Sequence, residues 1–294
     1  MRQAAPSGST PRPQGCFLSP TGTRIGLPPF RREYLCRQKL YSIRTASRDF
    51  FKLFMDVTKY PGLIPSDEHK RLEGLQPYQV LGTPGQALFN DFVGVVAKLF
   101  DMPIALISLV RADDVVFIGN EGLPEARIVD RADSMCSVAI LEDGLTVFED
   151  VVAEPCALVN PWVAQDLKLG FYAGQSLRTP DGTAIGSLCV LDHKPRQLTP
   201  AEGLLLQDLA LVAQGLVQLQ AAQVHDASLV PTLRDRFDGP MQQSLTRLTT
   251  LAELRLWDTL ADPAEGQRYD DSRLDEARYL AQSLHRELQK ALGK

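Results

Sequence analysis

The sequence has few features of a membrane or secreted protein. Its 294 residues include five cysteines without a CxxC spacing, a pattern that indicates neither a disulfide framework nor a zinc site. Uninterrupted apolar runs are shorter than the roughly 18 residues that cross a bilayer. The start of the chain lacks the hydrophobic core of a secretory signal. We therefore expect a cytoplasmic protein that does not bind a membrane.

Acidic residues are scarce in residues 1–54, where ten Lys and Arg stand against Glu33 and Asp49. Since the net charge is −5, the rest of the chain carries −13. Three interpretations fit this basic segment: a disordered basic arm, a transit-like peptide, or non-native sequence upstream of a start at Met55. We favour the third, because the acidic remainder argues against a nucleic-acid-binding protein.

Residues 171–202 carry the clearest prediction of local structure. Two apolar, β-favouring runs, Phe171–Arg178 and Thr183–Asp192, flank the turn sequence Thr-Pro-Asp-Gly, which predicts a hairpin. Thr199, a proline and then Glu202 form the pattern of a capping box, in which the hydroxyl and the carboxylate each bind an amide at a helix start. A helix is therefore expected directly after the hairpin.

These residues resemble the end of a GAF domain, a bacterial sensory module with a PAS-like fold. The subfamily pattern, found in sensor histidine kinases, is matched by FYAGQSLRTPDGTAIGSLCVLD from Phe171 to Asp192. The run His69–Phe92 resembles the entry segment of the same subfamily. The resemblance covers residues 66–222. It implies signal transduction related to two-component systems, without catalysis by the domain itself.

Hydrophobic periodicity along the chain agrees with the fold that the resemblance implies. Helices and strands alternate in an order typical of an α+β domain with an antiparallel sheet of five or six strands and flanking helices. A helix capped by Thr83 precedes the first strand, Ile104–Val110, and Ser134–Leu141 is predicted to be helical. Residues 223–294 are expected to form a C-terminal helical hairpin.

The cofactors of other GAF domains each require a residue type that the sequence does not place correctly. A covalent bilin needs a cysteine before Phe171, and Pro161–Gly170 contains none. Haem needs an axial His or Cys, and His193 is predicted to lie in a turn. Neither bilin, haem nor a metal is therefore indicated. At Val138 the subfamily has a histidine and at Gly170 an arginine, so an anionic ligand is disfavoured.

A small-molecule ligand of unknown identity remains the expectation for the pocket that GAF domains form between the sheet and its covering helices. The fold alone suggests the lining, which we predict as Phe117, Met135, Cys136, Phe171, Tyr172 and Cys189. Two interpretations of Cys136 and Cys189 stay open: redox-sensing thiols, or small core residues. We favour the second. If side chains fill the pocket, no ligand binds there, and the protein would act only as a scaffold for interactions with other proteins.

The helix after the hairpin carries apolar residues at alternating spacings of four and three, the pattern of a coiled-coil seam. They are Leu205, Leu209, Val212, Leu216 and Leu219. In the family such helices often pair in a parallel dimer, so a homodimer is expected, with a signalling protein such as a kinase as the partner.

His225 is the residue on which an alternative function depends. It follows the predicted exit helix, where histidine kinases place a phospho-accepting histidine. The surrounding pattern matches poorly and no glycine-rich ATP-binding segment follows. We therefore predict a non-catalytic sensor that binds a ligand or partner and signals through its exit helix and C-terminal helices. A phosphotransfer or histidine-kinase-derived fragment is the alternative.

Overall fold

The computed structural model describes residues 60–79, 86–225, 239, 242–254 and 263–293. The basic segment 1–54 and the predicted cap at Thr83 lie outside the described residues, so the predictions made for them stay predictions.

A six-stranded antiparallel sheet forms the centre of the described structure. Its strand order is β3-β2-β1-β6-β5-β4, so β1 and β6 are central although they are far apart in sequence. The strands are β1 (Ile104–Val110), β2 (Asp114–Glu121), β3 (Ile128–Asp130), β4 (Leu145–Phe148), β5 (Phe171–Arg178) and β6 (Ala184–Asp192). This sheet with flanking helices confirms the predicted α+β GAF fold.

Helices flank the sheet on both faces. They are α1 (Glu68–Leu75), α2 (Gln86–Phe100), α3 (Cys136–Ala139), α4 (Trp162–Asp166), α5 (Pro200–His225), α6 (residues 242–254) and α7 (Pro263–Ala291). Single 3-10 turns occur at Pro61–Leu63, Gln76–Tyr78 and Arg131–Asp133. The helix predicted over Ser134–Leu141 is thus only four residues long.

The hairpin and the helix start follow the local chemistry that the sequence predicts. Gly182 has φ of 85°, a conformation that glycine adopts without strain, and its amide donates to the Thr179 carbonyl at 2.9 Å. At the start of α5 the Glu202 amide donates to Thr199 Oγ1 at 3.2 Å, and the Thr199 amide donates to Glu202 Oε2 at 2.9 Å. The capping box is confirmed.

Helix α5 is long and rich in apolar residues. By length and composition alone, its segment Pro200–Ala222 could cross a membrane. However, 72% of that window is buried inside the chain. This burial is typical of the central helix of a folded core.

One face of the sheet carries a large apolar core that extends through three helices. Side chains of β1, β5 and β6 pack there with α2 and α5, and α7 packs on α5 within the same cluster. Helix α7 begins at Pro263, and proline is favoured in the first turn of a helix. The C-terminal helices therefore share a core with the domain.

Candidate functional site

The opposite face of the sheet brings together five of the six residues predicted to line the pocket. Phe117, Met135, Cys136, Tyr172 and Cys189 lie in one buried cluster. Phe171 does not join them, because neighbouring residues in a strand point to opposite faces. Its ring lies in the apolar core with α2 and α5. The prediction for Phe171 is corrected accordingly.

The predicted pocket is filled by these side chains. All five are at most 5% exposed, and the cavity beside Met135 and Cys156 has a volume of about 10 Å³. A single water needs about that much space. In this conformation the cluster therefore has no room for a ligand of metabolite size.

Two cysteine thiols meet at the centre of this cluster. Cys136 is the first residue of α3, and Cys189 lies on the central strand β6, between Leu106 of β1 and Gly174 of β5. Their Sγ atoms are 3.6 Å apart, which is van der Waals contact. Both residues are buried, at 2% and 0% exposure. The fold thus joins two thiols that are 53 residues apart in sequence.

Hydroxyl groups surround the thiols on the same face. Ser108 Oγ lies 3.0 Å from Ser187 Oγ, and both serines are fully buried. Tyr172 is also fully buried, and its hydroxyl has no hydrogen-bond partner within the described part of the chain. A Cβ atom on Gly174 would lie 2.4 Å from that hydroxyl, so the glycine makes room for the tyrosine.

This environment separates the acidities of the two thiols. The thiol of Cys189 donates a hydrogen bond that lowers the pKa of Cys136, and nearby serines lower it further, although burial opposes them. Burial raises the pKa of Cys189, and a negative charge on Cys136 raises it further. Burial likewise raises the pKa of Tyr172. A single negative charge in the cluster would therefore reside on Cys136.

A buried ion cluster ties α1 to the edge of this face. Arg71 and Arg131 are 2% and 1% exposed, and both bind the carboxylate of Glu68, at 2.7 and 2.5 Å. Arg71 Nη1 also donates to the Val110 carbonyl at 2.7 Å, and Arg131 Nη2 donates to the Leu63 carbonyl at 2.8 Å. Two buried cations thus depend on one carboxylate.

The residues of the predicted coiled-coil seam lie in the interior of the chain. Leu205, Leu209, Val212, Leu216 and Leu219 are at most 4% exposed and belong to the apolar core shared with the sheet and α7. The described chain therefore buries the seam by itself, and a dimer would need another surface. Among the described side chains of α5, Leu204 and Leu211 are the large apolar ones that are exposed, at 45% and 42%.

Polar contacts fix the position of α7 along α5. Asp208 accepts from Arg278 Nε at 3.0 Å and from Gln282 Nε2 at 3.1 Å. His285 Nδ1 lies 3.2 Å from the Leu211 carbonyl. A Cβ atom on Gly215 would meet Leu288 Cδ1 at 2.9 Å, so the two helices approach closely at this glycine.

The remaining sequence predictions concern residues away from the thiol cluster. His225 is the last residue of α5, its side chain lies outside the described residues, and its role as a phospho-acceptor stays a prediction. Among the described residues, no group of three or more His, Cys, Asp or Glu could hold a metal ion.

An open cleft of about 700 Å³ lies between α2 and the segment after β6.

Sequence reasoning missed Ser108, Ser187 and the Glu68 ion cluster. The serines stand in runs that read as uniformly apolar strands, and only the pairing of β1 with β6 places them opposite each other. Arg131 binds Glu68, which is 63 residues away in sequence. No local pattern signals either contact.

Comparisons with known proteins show what part of the chain is similar to. The family model of the GAF domain matches residues 84–215. Over 132 residues the chain is 35% identical to a cyclic di-GMP phosphodiesterase from Pseudomonas aeruginosa. That match covers 45% of this chain and 22% of the phosphodiesterase, so the chain spans less than a quarter of that relative's length.

Solved structures give weaker similarity. The GAF domain of a phosphoenolpyruvate-protein phosphotransferase from Acinetobacter is 14% identical with a TM-score of 0.41, over 53% of this chain and 98% of that one. A free methionine-R-sulfoxide reductase from Neisseria meningitidis, in complex with its substrate, is 21% identical with a TM-score of 0.40, over 54% and 95%.

Proposed function

We propose that the chain, in which residues 84–215 form a GAF domain, is a non-catalytic sensory module. The thiol-bearing face is the face of the sheet on which Cys189 meets Cys136. In this proposal, binding of a partner or a chemical change at this face alters the packing of α5, and α7 passes the change to a signalling partner. The observation that carries the proposal is the double contact of α5. One apolar core joins this helix to the sheet on one side and to α7 on the other.

The geometry of α5 supports transmission over its length. Its buried apolar residues repeat over most of the helix, with Gln218 and Gln220 as buried polar residues towards its end, so the helix packs against the sheet as a unit. The contacts of Asp208 with Arg278 and Gln282 hold α7 in register with it. A displacement of α5 would therefore displace α7 as well.

The relative from Pseudomonas aeruginosa supports a role in signalling. It is named a cyclic di-GMP phosphodiesterase, and it is similar to this chain over 132 residues. We infer that the present chain also takes part in signalling, and that it regulates the activity of a partner protein such as a phosphodiesterase or a kinase. With its pocket filled, the domain responds to a partner or to a chemical change of its own side chains.

A homodimer remains part of the proposal, and α5 offers a surface for it. Leu204 and Leu211 lie seven residues apart, hence on one side of the helix. Native mass spectrometry of the full chain is expected to give the mass of two copies, reduced to one copy in a Leu204→Lys, Leu211→Lys variant. A wild-type protein that is monomeric at every concentration contradicts this part.

Hydrogen exchange tests the transmission itself. Ser187→Ala removes one hydroxyl from the thiol-bearing face, and we expect altered protection in α7, which lies on the other side of α5. Adding Asp208→Asn, which loosens the polar contacts of α5 with α7, should reduce that response. Ser66→Ala changes an exposed serine outside the cluster and serves as the control. Unchanged protection in α7 after Ser187→Ala contradicts the proposal.

A further inference from the structure

We propose that Cys136 and Cys189 form a reversible disulfide when the protein meets a peroxide, so that the filled pocket is a redox site. The two Sγ atoms are already in contact at 3.6 Å. A disulfide has an S–S length of about 2.05 Å, so the bond requires the two Sγ atoms to come closer by about 1.5 Å.

The surroundings of the pair are unlike those of ordinary core cysteines. Structural cysteines lie in apolar surroundings, where burial keeps the thiol protonated and inert. Here the buried hydroxyls of Ser108 and Ser187 pack on the same face, and the Tyr172 hydroxyl lies buried without a hydrogen-bond partner in the described residues. These groups can stabilise a thiolate or the oxygen of an oxidised sulfur. The lowered pKa of Cys136 agrees with that arrangement.

The reaction balances with hydrogen peroxide as the oxidant. The Cys136 thiolate attacks one peroxide oxygen, the O–O bond breaks, and a sulfenic acid forms with release of hydroxide, which takes up a proton as water. The thiol of Cys189 loses its proton and attacks the sulfenic sulfur. The S–S bond forms, the S–O bond breaks, and a second water leaves. Two thiols are oxidised by two electrons and the peroxide is reduced to two waters.

Access of a peroxide to the buried pair depends on local opening of the segment that carries Cys136. Helix α3 has four residues, fewer than an isolated helix needs for stability. All four of its residues are buried, so access to Cys136 requires local opening of this segment without unfolding of the whole domain. Ser137 Oγ, which donates to the Arg131 carbonyl at 2.7 Å, is one contact that opening would break. A molecule as small as hydrogen peroxide can then reach Cys136.

A disulfide between Cys136 and Cys189 would be connected to the rest of the molecule through strand β6. Cys189 lies on β6, which leads directly into α5. Any part of the sulfur approach that the backbone of β6 takes up would shift the strand that precedes α5. That this shift is the input event of the sensor rests on the proposed function, whereas the redox chemistry of the pair does not.

Peptide mapping of the full chain tests the redox site without any substitution. The folded protein is treated with hydrogen peroxide, free thiols are blocked, and the digest is analysed by mass spectrometry with and without a reductant. We expect a linked peptide containing Cys136 and Cys189, lighter by about 2 Da than the two separate peptides, which disappears on reduction.

Matched variants remove the competing thiols. In a chain with Cys16→Ser, Cys36→Ser and Cys156→Ser the linkage should persist, whereas adding Cys189→Ala should abolish it. In the unsubstituted chain, Cys156 is the control thiol, because it is partly exposed and lies in a loop. Oxidation of Cys156 to sulfinic or sulfonic acid while Cys136 and Cys189 stay free would overturn the proposal. So would linkage that appears only under denaturing conditions.

Hydrogen exchange of the oxidised protein separates this proposal from the proposed function. A linked pair with altered protection in α7 supports both. A linked pair with unchanged α7 keeps the redox site and removes its role as the input. An absent linkage removes the redox site and leaves transmission to be judged by the Ser187→Ala experiment.

Discussion

The two faces of the sheet differ in chemistry although the same strands build them. The face toward α2, α5 and α7 is a continuous apolar core. The face toward α3 and α4 buries thiols and hydroxyls among its apolar residues, and the Glu68 ion cluster ties α1 to its edge. Apolar packing is non-directional and tolerates small shifts, whereas buried polar groups must keep specific partners. The first face is suited to transmit motion, and the second to undergo a chemical change.

The largest effect is expected from removing the carboxylate of the ion cluster. Glu68→Gln leaves Arg71 and Arg131 as two buried cations without a counter-charge. Breaking a buried pair in this way costs about 3–5 kcal/mol, to be measured as the loss in free energy of unfolding by urea. Glu73→Gln on the same helix is the matched control, because Glu73 is 69% exposed and, among the described residues, its side chain pairs with an exposed histidine. Equal losses in the two variants would show that the ion cluster does not stabilise the fold.

The same cluster predicts a dependence of stability on pH. Burial raises the pKa of Glu68, but the hydrogen bonds and charges of Arg71 and Arg131 outweigh it and lower the pKa below the ordinary value of 4.5. A carboxyl with a lowered folded pKa stabilises the protein fully above its unfolded pKa, and this stabilisation is lost as pH falls through the folded value. Unfolding midpoints of wild type and Glu68→Gln should therefore converge below pH 4.5. A constant difference down to strongly acidic pH would contradict the assignment.

A smaller effect is expected on the apolar side, at the contact of α5 with α7. Gly215→Ala places a methyl group 2.9 Å from Leu288 Cδ1, and overpacking of this kind costs about 1–3 kcal/mol. Gly94→Ala in α2 is the control, because its added methyl lies 3.7 Å from the nearest atom, Glu121 Oε2. It should gain about 0.5–1 kcal/mol from helix propensity. Thermal unfolding of both variants measures the contrast, and a stabilised Gly215→Ala protein would show that the helices are not in close contact there.

The smallest effect is expected from the unpartnered hydroxyl on the polar side. Tyr172→Phe removes a buried polar group that has no hydrogen-bond partner among the described residues. It should therefore stabilise the protein by about 1 kcal/mol. Tyr279→Phe, at a side chain that is 58% exposed, should change the unfolding free energy by less than about 0.5 kcal/mol. A destabilised Tyr172→Phe protein would indicate a partner for the hydroxyl.

Most of the fold was predictable because its signals are local. The turn around Gly182 and the capping box of Thr199 and Glu202 each lie within four residues, and both are present in the structure. The seam of α5 was also a real pattern, but periodicity alone does not say which surface an apolar stripe meets. Here the stripe faces the sheet and α7 of the same chain.

The site was less predictable because its contacts span the chain. The sequence identified Cys136 and Cys189 as members of one pocket, from the fold that the resemblance implies. Their contact depends on the register of β6 and on the placement of a four-residue helix. No local sequence pattern predicts either of these. Phe171 was misplaced because the pocket was inferred without the alternation of β5.

The glycine at which α7 approaches α5 also bears on what counts as an independent folding unit. The match to the family ends at residue 215, the position against which Leu288 packs. A protein cut at that boundary would lose the rest of α5 and all of α7, and the apolar side chains they cover would face water. Such surfaces favour aggregation. The autonomous unit in this chain therefore extends beyond the family boundary and includes its C-terminal helices.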